Sequence, residues 1–150
     1  MKTFLQIIVP AFFSIVALNG CSSDPHVVGY VSPAHLASQI APADRIVVVS
    51  TFHNMSGAPH FASFRAIITG SEMNSIIRAI TSLRAPTYNL PTAPSDCLYD
   101  WQLQFYRGAK LLGTADLADC LVRCDGVEYD APEMLKSLYH RIARQSGEED

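Results

Sequence analysis

The sequence predicts an α+β domain: an antiparallel β-sheet with two helices packed on it, in the order β-β-α-β-β-β-β-α. Three observations carry that expectation. Tyr99, Trp101, Leu103 and Phe105 alternate with Asp100, Gln102 and Gln104, a period of two that marks a strand with one buried and one wet face. Ile46-Val47-Val48-Val49 is a β-branched run of the kind buried in a sheet. Met73, Ile76, Ile77, Ile80 and Leu83, and again Met134, Leu135, Leu138, Tyr139 and Ile142, recur at helical spacing and make one apolar stripe each. Runs of strands with separate helices pack as helices on one antiparallel sheet.

Taken in order, residues 21–44 read as a tether of small polar residues and prolines. Within it, Ser32-Pro33 caps a short helix through Ile40, with Pro at the first helical position. Arg45 to Phe52 is the first strand and Phe61 to Thr69 the second. The loop between them, His53 to His60, carries Gly57 and Pro59. Ser71 opens the first long helix. Arg84 to Asp96 contains Pro86, Pro91 and Pro94 and reads as a stiffened loop with Tyr88 and Leu90 near its middle. Loops of this length in compact domains are usually functional or disordered.

The alternating strand then turns through Arg107-Gly108-Ala109-Lys110. Pairing Arg107 with Lys110 sets Phe105 opposite Leu112 and Leu103 opposite Thr114 on the inner face. The returning strand, Lys110 to Ala115, ends in a turn at Asp116–Asp119. Leu121–Cys124 and Val127–Tyr129 flank Asp125-Gly126, whose Gly supplies the positive φ of a type I′ hairpin turn. Asp130 is expected to cap the last helix, with Glu133 completing a capping box. His140, Arg141 and Arg144 near its end complement the helix dipole. The domain therefore spans 45–145, and residues 146–150 form a polar tail.

A chain of 150 residues, 49% hydrophobic with a formal charge of −3, accommodates one domain with a core. No cluster of Lys and Arg appears, so no nucleic-acid partner is expected. The one long apolar run is N-terminal. Lys2 precedes it, Phe4 to Leu18 is largely apolar though Gln6 and Pro10 interrupt it, and Leu18-Asn19-Gly20-Cys21 follows. A charged start, a short apolar run and a small residue before the cut have the shape of a secretory signal peptide. Residues 1–20 with Cys21 resemble a bacterial lipoprotein signal in which Leu18 to Cys21 form the lipobox. The resemblance implies cleavage before Cys21, lipidation of that cysteine and attachment to the membrane. Ser22 in the next position is similar to lipoproteins sent to the outer membrane, which implies a domain anchored there and facing the periplasm.

Export places Cys97, Cys120 and Cys124 in an oxidising compartment. The hairpin register extended outward sets Cys97 opposite Cys120. A Cys97–Cys120 disulfide is expected, with Cys124 as the alternative partner; either adds roughly 3 kcal/mol in the chain-entropy picture. The third cysteine stays a buried thiol. His53, Met55 and His60 share one loop and have the ligand chemistry of a copper site. They fall on no common face, however, and loop histidines are ordinarily solvated, so neither a metal nor a cofactor is expected. The chain holds no Gly-x-Ser-x-Gly elbow, His-Glu-x-x-His helix or phosphate-cradling glycine loop, and catalysis is not expected.

From Asp96 to Glu133, eight acidic side chains face only Arg107, Lys110 and Arg123. Such a surface steers a basic partner. The reading is a lipid-anchored periplasmic binding protein, in one concrete form an inhibitor or immunity protein against a cell-wall-directed enzyme. Its expected contact residues are Tyr88 and Leu90 in the proline-rich loop and Asp116 and Asp119 in the turn. An envelope structural or assembly lipoprotein and a periplasmic metal-binding protein are the alternatives.

Overall fold

The structure is a computed structural model and describes residues 26–51, 64–89 and 98–147. In chain order these form β1 (Val27–Val31), α1 (Ala34–Ile40), β2 (Arg45–Ser50), β3 (Arg65–Ile68), α2 (Gly70–Thr81), β4 (Ala85–Tyr88), β5 (Trp101–Arg107), β6 (Lys110–Leu117), β7 (Leu121–Cys124), β8 (Val127–Asp130) and α3 (Glu133–Ser146). Six strands make one antiparallel sheet in the order β3-β2-β5-β6-β7-β8, while β1 and β4 pair as a separate ribbon. The α+β architecture expected from the alternating segments is the one observed.

Strand pleating explains how the sheet is covered. Ile46 and Val48 of β2 stand opposite Phe105 and Leu103 of β5, and Ala115 and Leu117 of β6 continue that row. These side chains are buried together with Leu36 and Ile40 of α1, Met73, Ile76 and Ile80 of α2, and Leu135, Leu138 and Ile142 of α3. Each helix presents one apolar stripe to the same sheet face. Burying a side chain of this size contributes roughly 1.5–3 kcal/mol. Trp101, fully buried, meets Phe64 edge to face with centroids 5.2 Å apart. The opposite sheet face carries no helix among the described residues.

Several expectations change. The register of β5 and β6 contains a bulge: Arg107 pairs with Lys110 and Tyr106 with Leu111, but Phe105 then faces Gly113 and Leu103 faces Ala115. Leu112 is the extra residue. Since side chains alternate every residue, the slip moves Gly113 and Ala115 onto the covered face in place of Leu112 and Thr114. The reason is space beneath α1. A Cβ on Gly113 would lie 2.5 Å from Leu36 Cδ1, so only a residue without a side chain fits there.

β6 also runs two residues beyond Ala115, because Asp116 and Leu117 pair with Arg123 and Val122; Asp116 is therefore a strand residue and not part of a turn. Residues 27–40 are not a tether. They form β1 and α1, and the first half of the proline-rich loop supplies β4, so among the described residues three helices and a ribbon belong to a domain that begins well before residue 45. Pro86 is tolerated because a two-stranded ribbon has outward N–H positions that need no donor. Asp100 is not wet. It is buried and accepts the hydroxyl of Tyr139 from α3 at 2.6 Å, while its backbone carbonyl accepts the Thr51 N–H just beyond β2 at 2.9 Å. Tyr99, expected on the inner face, instead reaches Glu128.

The helix caps differ as well. Asp130 does not cap α3: its backbone lies in the ladder opposite Leu121, and the Ala131 N–H donates to the Cys120 carbonyl at 2.9 Å. The helix starts only after Pro132, at Glu133. Nor does Ser32 cap α1. The Leu36 N–H there donates to Asp125 Oδ2 at 2.9 Å. Asp125 and Gly126 have φ of 52° and 77°, the two positive values of a type I′ turn. The hairpin tip thus supplies the cap of a helix at Leu36, 89 residues earlier. Replacing Asp125 by Ala should cost about 1 kcal/mol for the lost cap, with more from an alanine at positive φ, whereas Asn, which keeps both properties, should restore most of it; urea midpoints of the two variants check this.

Candidate functional site

Gln102, Gln104 and Tyr106 project from β5 away from the helices. Cross-strand register places Asp116 and Thr114 of β6 beside the two glutamines, and Arg123 of β7 beside Asp116. These side chains link into a continuous row. The Tyr106 hydroxyl donates to Gln104 Oε1 at 3.2 Å, Gln104 Nε2 to Gln102 Oε1 at 3.0 Å, and Gln102 Nε2 to Asp116 Oδ1 at 3.1 Å. Arg123 donates through Nε and Nη2 to Asp116 Oδ2 at 3.1 and 2.9 Å. Its guanidinium lies 4.3 Å from the centre of the Tyr99 ring, and the Tyr99 hydroxyl donates to Glu128 at 2.7 Å. At the other end, Arg45 stacks over Tyr106 at 5.0 Å.

The electrostatics follow from these contacts. Hydrogen bonding to Asp116 raises the Arg123 pKa above its ordinary value, burial opposes this, and the charges of Asp116, Tyr99 and Glu128 add to the rise. The pair is half-exposed, so it contributes at most about 1 kcal/mol to stability, and each cation–π contact is worth about 0.5–1 kcal/mol. The larger consequence is geometric. Long side chains held by one another lose less rotamer freedom when a partner binds. A cleft of about 330 Å³ opens beside the row, where Gln39 of α1 faces Thr114, Asp116, Arg123 and Asp125.

The residues singled out in the sequence are dispersed. Asp116 sits in this row with its charge met by Arg123. Asp119 lies at the β6–β7 turn, 3.1 Å from His140 Nε2 of α3. The acidic excess is thus partly answered within the fold. Tyr88 is on the ribbon. Cys21, Leu90, Cys97, His53, Met55 and His60 lie outside the described residues. Cys120 is exposed at the β6–β7 turn, and the bulge shifts by one the register that had aligned it with residue 97. Cys124 is a buried thiol in the core; burial, then the charges of Asp125 and Asp116, push its pKa up to about 12. Such a thiol is neutral at physiological pH and a poor nucleophile or ligand. Among the described residues no group of three His, Cys, Asp or Glu gathers as a metal site, and no helix is long and apolar enough to cross a membrane.

Gln104, Tyr106, Arg123 and Arg45 were not picked out as site residues. Their signal was present in the polar half of the β5 alternation, which holds two glutamines and a tyrosine, all long hydrogen-bonding side chains. What joins them to Arg123 is strand order. No family model matches this chain, and comparison with curated proteins and with solved structures likewise finds no match.

Proposed function

We propose that this protein is a non-catalytic binding protein, held at the outer membrane through lipid on Cys21, that grips a protein partner in the periplasm with the open face of its sheet. The anchor is supported by the lipobox-like stretch from Leu18 to Cys21. The binding role is supported above all by the linked row from Arg45 through Tyr106, Gln104, Gln102, Asp116 and Arg123 to Tyr99. Tyr and Arg are the side chains that most often dominate protein interfaces, where they join apolar area to hydrogen bonding. Inhibition of a cell-wall-directed enzyme, or immunity to one, is the specific form of this role.

The test is capture from detergent-solubilised envelopes with the full acylated chain as bait, comparing wild type with a Tyr106→Ala/Arg123→Ala variant. A hydrolase or toxin recovered in near-equal amount by wild type, with affinity lowered at least tenfold in the variant and cell-wall hydrolysis blocked only by wild type, is the expected result. Loss of two interface anchors at about 1–2 kcal/mol each corresponds to such a change. Equal capture by both proteins would move the contact surface elsewhere. Recovery of abundant envelope structural proteins, with no effect on hydrolysis, would replace inhibition with an assembly role.

A further inference from the structure

The ribbon of β1 and β4 has two unlike faces. Val31 pairs with Ala85, and both turn toward the core. Tyr30 pairs with Pro86, and Val27 with Tyr88; by the alternation of strand residues these four stand on the outward face. Val28 is the bulged residue at the register shift between Val27 and Gly29 and projects as well. Val27, Val28, Tyr30 and Tyr88 are 50%, 68%, 72% and 37% exposed. The outward face therefore holds two valines, two tyrosines and a proline, with no charge. The far end is closed by His26 and Asn89, which exchange hydrogen bonds of 2.9 and 3.2 Å. Two-stranded ribbons gain little stability alone, and a contiguous apolar face on a soluble surface marks a place where something rests.

The chain itself indicates what rests there. Cys21 precedes Val27 by six residues, and that length of chain spans about 20 Å when fully extended. If Cys21 carries lipid, as proposed above, the Val27–Tyr88 end of the ribbon cannot stand farther than this from the bilayer. Tyrosine is enriched at the membrane–water interface, where its ring meets the acyl boundary and its hydroxyl the headgroups. We infer that the outward face of the β1–β4 ribbon lies on the bilayer that holds the Cys21 lipid, as a second, non-covalent membrane contact. It fixes the orientation of the domain. β4 runs beside β8 at one edge of the sheet, so β3, five strands away, is held roughly 24 Å farther across. The polar row on the open face is then presented beside the membrane in one orientation instead of swinging on a tether.

The experiment reads the depth of a single tryptophan. Tyr30→Trp and, as control, Ile67→Trp on β3, also well exposed, are made in the full chain, acylated in a bacterial host and reconstituted into phosphatidylethanolamine–phosphatidylglycerol vesicles. The lipids are brominated near the glycerol end of their acyl chains. Trp101 is the one native tryptophan and is fully buried, so it adds the same background to both proteins. Acylation of Cys21 is read separately from the mass of the mature chain. The expected result is at least twofold stronger quenching at position 30 than at position 67. Equal quenching in acylated, vesicle-bound protein overturns the ribbon contact and leaves the anchor standing. A chain without acyl groups on Cys21 overturns the anchor, and the ribbon contact with it.

Discussion

Between pH 9 and pH 12 the protein should lose up to roughly 4 kcal/mol of stability, and a Cys124→Ala variant should not show that part of the loss. The cause is the Cys124 thiol. Burial, reinforced by the charges of Asp125 and Asp116, raises its pKa from 9.0 to about 12 in the folded chain. In that interval the unfolded chain has released the thiol proton and the folded chain still holds it. Stability falls with pH wherever the native state binds more protons than the unfolded one. The contribution is complete below pH 9 and gone above pH 12. A rise of about three in pKa corresponds to roughly 4 kcal/mol. Tyr129 acts in the same direction, since burial, then Cys124 and Asp125, raise its pKa against a smaller opposing effect of Arg84. Urea midpoints measured from pH 8 to pH 11 on wild type and Cys124→Ala decide the matter: parallel curves would show that the thiol is not the group responsible. The same burial predicts that a thiol reagent labels Cys124 only as fast as the domain unfolds.

Gly113→Val should destabilise the domain by about 2–3 kcal/mol, at the upper end of the usual cost of overpacking. Gly113 is not among the positive-φ residues, so a side chain is excluded there by space alone. An added Cβ meets Leu36 Cδ1 at 2.5 Å and Ile40 Cγ2 at 3.4 Å, and both side chains are almost fully buried. α1 must lift, and the Asp125 cap on Leu36 lengthens with it. Leu36→Ala removes the obstacle. The double variant Leu36→Ala/Gly113→Val should therefore be more stable than the sum of its parts by 1 kcal/mol or more, the coupling expected of residues in contact. Additive urea midpoints would mean that α1 does not rest on Gly113.

The bulge at Leu112 is the plainest case of what the chain alone did not reveal. Both registers keep Arg107 opposite Lys110 and both look acceptable locally. Leu112 is even the more hydrophobic choice for the inner face. What rejects it is α1, brought over β6 by Leu36 and Ile40. Asp125 shows the same division. Asp125-Gly126 announces a hairpin turn, yet that the carboxylate caps a helix 89 residues earlier is set by which helix lies over the tip. The ribbon was partly legible: Val27-Val28 and Tyr30-Val31 have strand composition, but Pro86 and the surrounding prolines masked its partner. The linked row on the open face was half legible, through the polar positions of β5.

The sequence by itself determined the strands of the main sheet, the three helical stretches, the covered face of β5 and the Asp-Gly turn. Periods of 2 and 3.6 residues and a requirement for positive φ act within a few residues and are written in the order of side chains. Its Leu18 to Cys21 stretch resembles a lipobox. Tertiary structure alone decided the strand order, the bulge, the cap on α1, the pairing of β1 with β4, the pairing of Asp116 with Arg123 and the burial of Asp100. Each of these depends on two segments far apart in the chain competing for one volume or one hydrogen bond, and packing, which a local pattern does not encode, settles the competition.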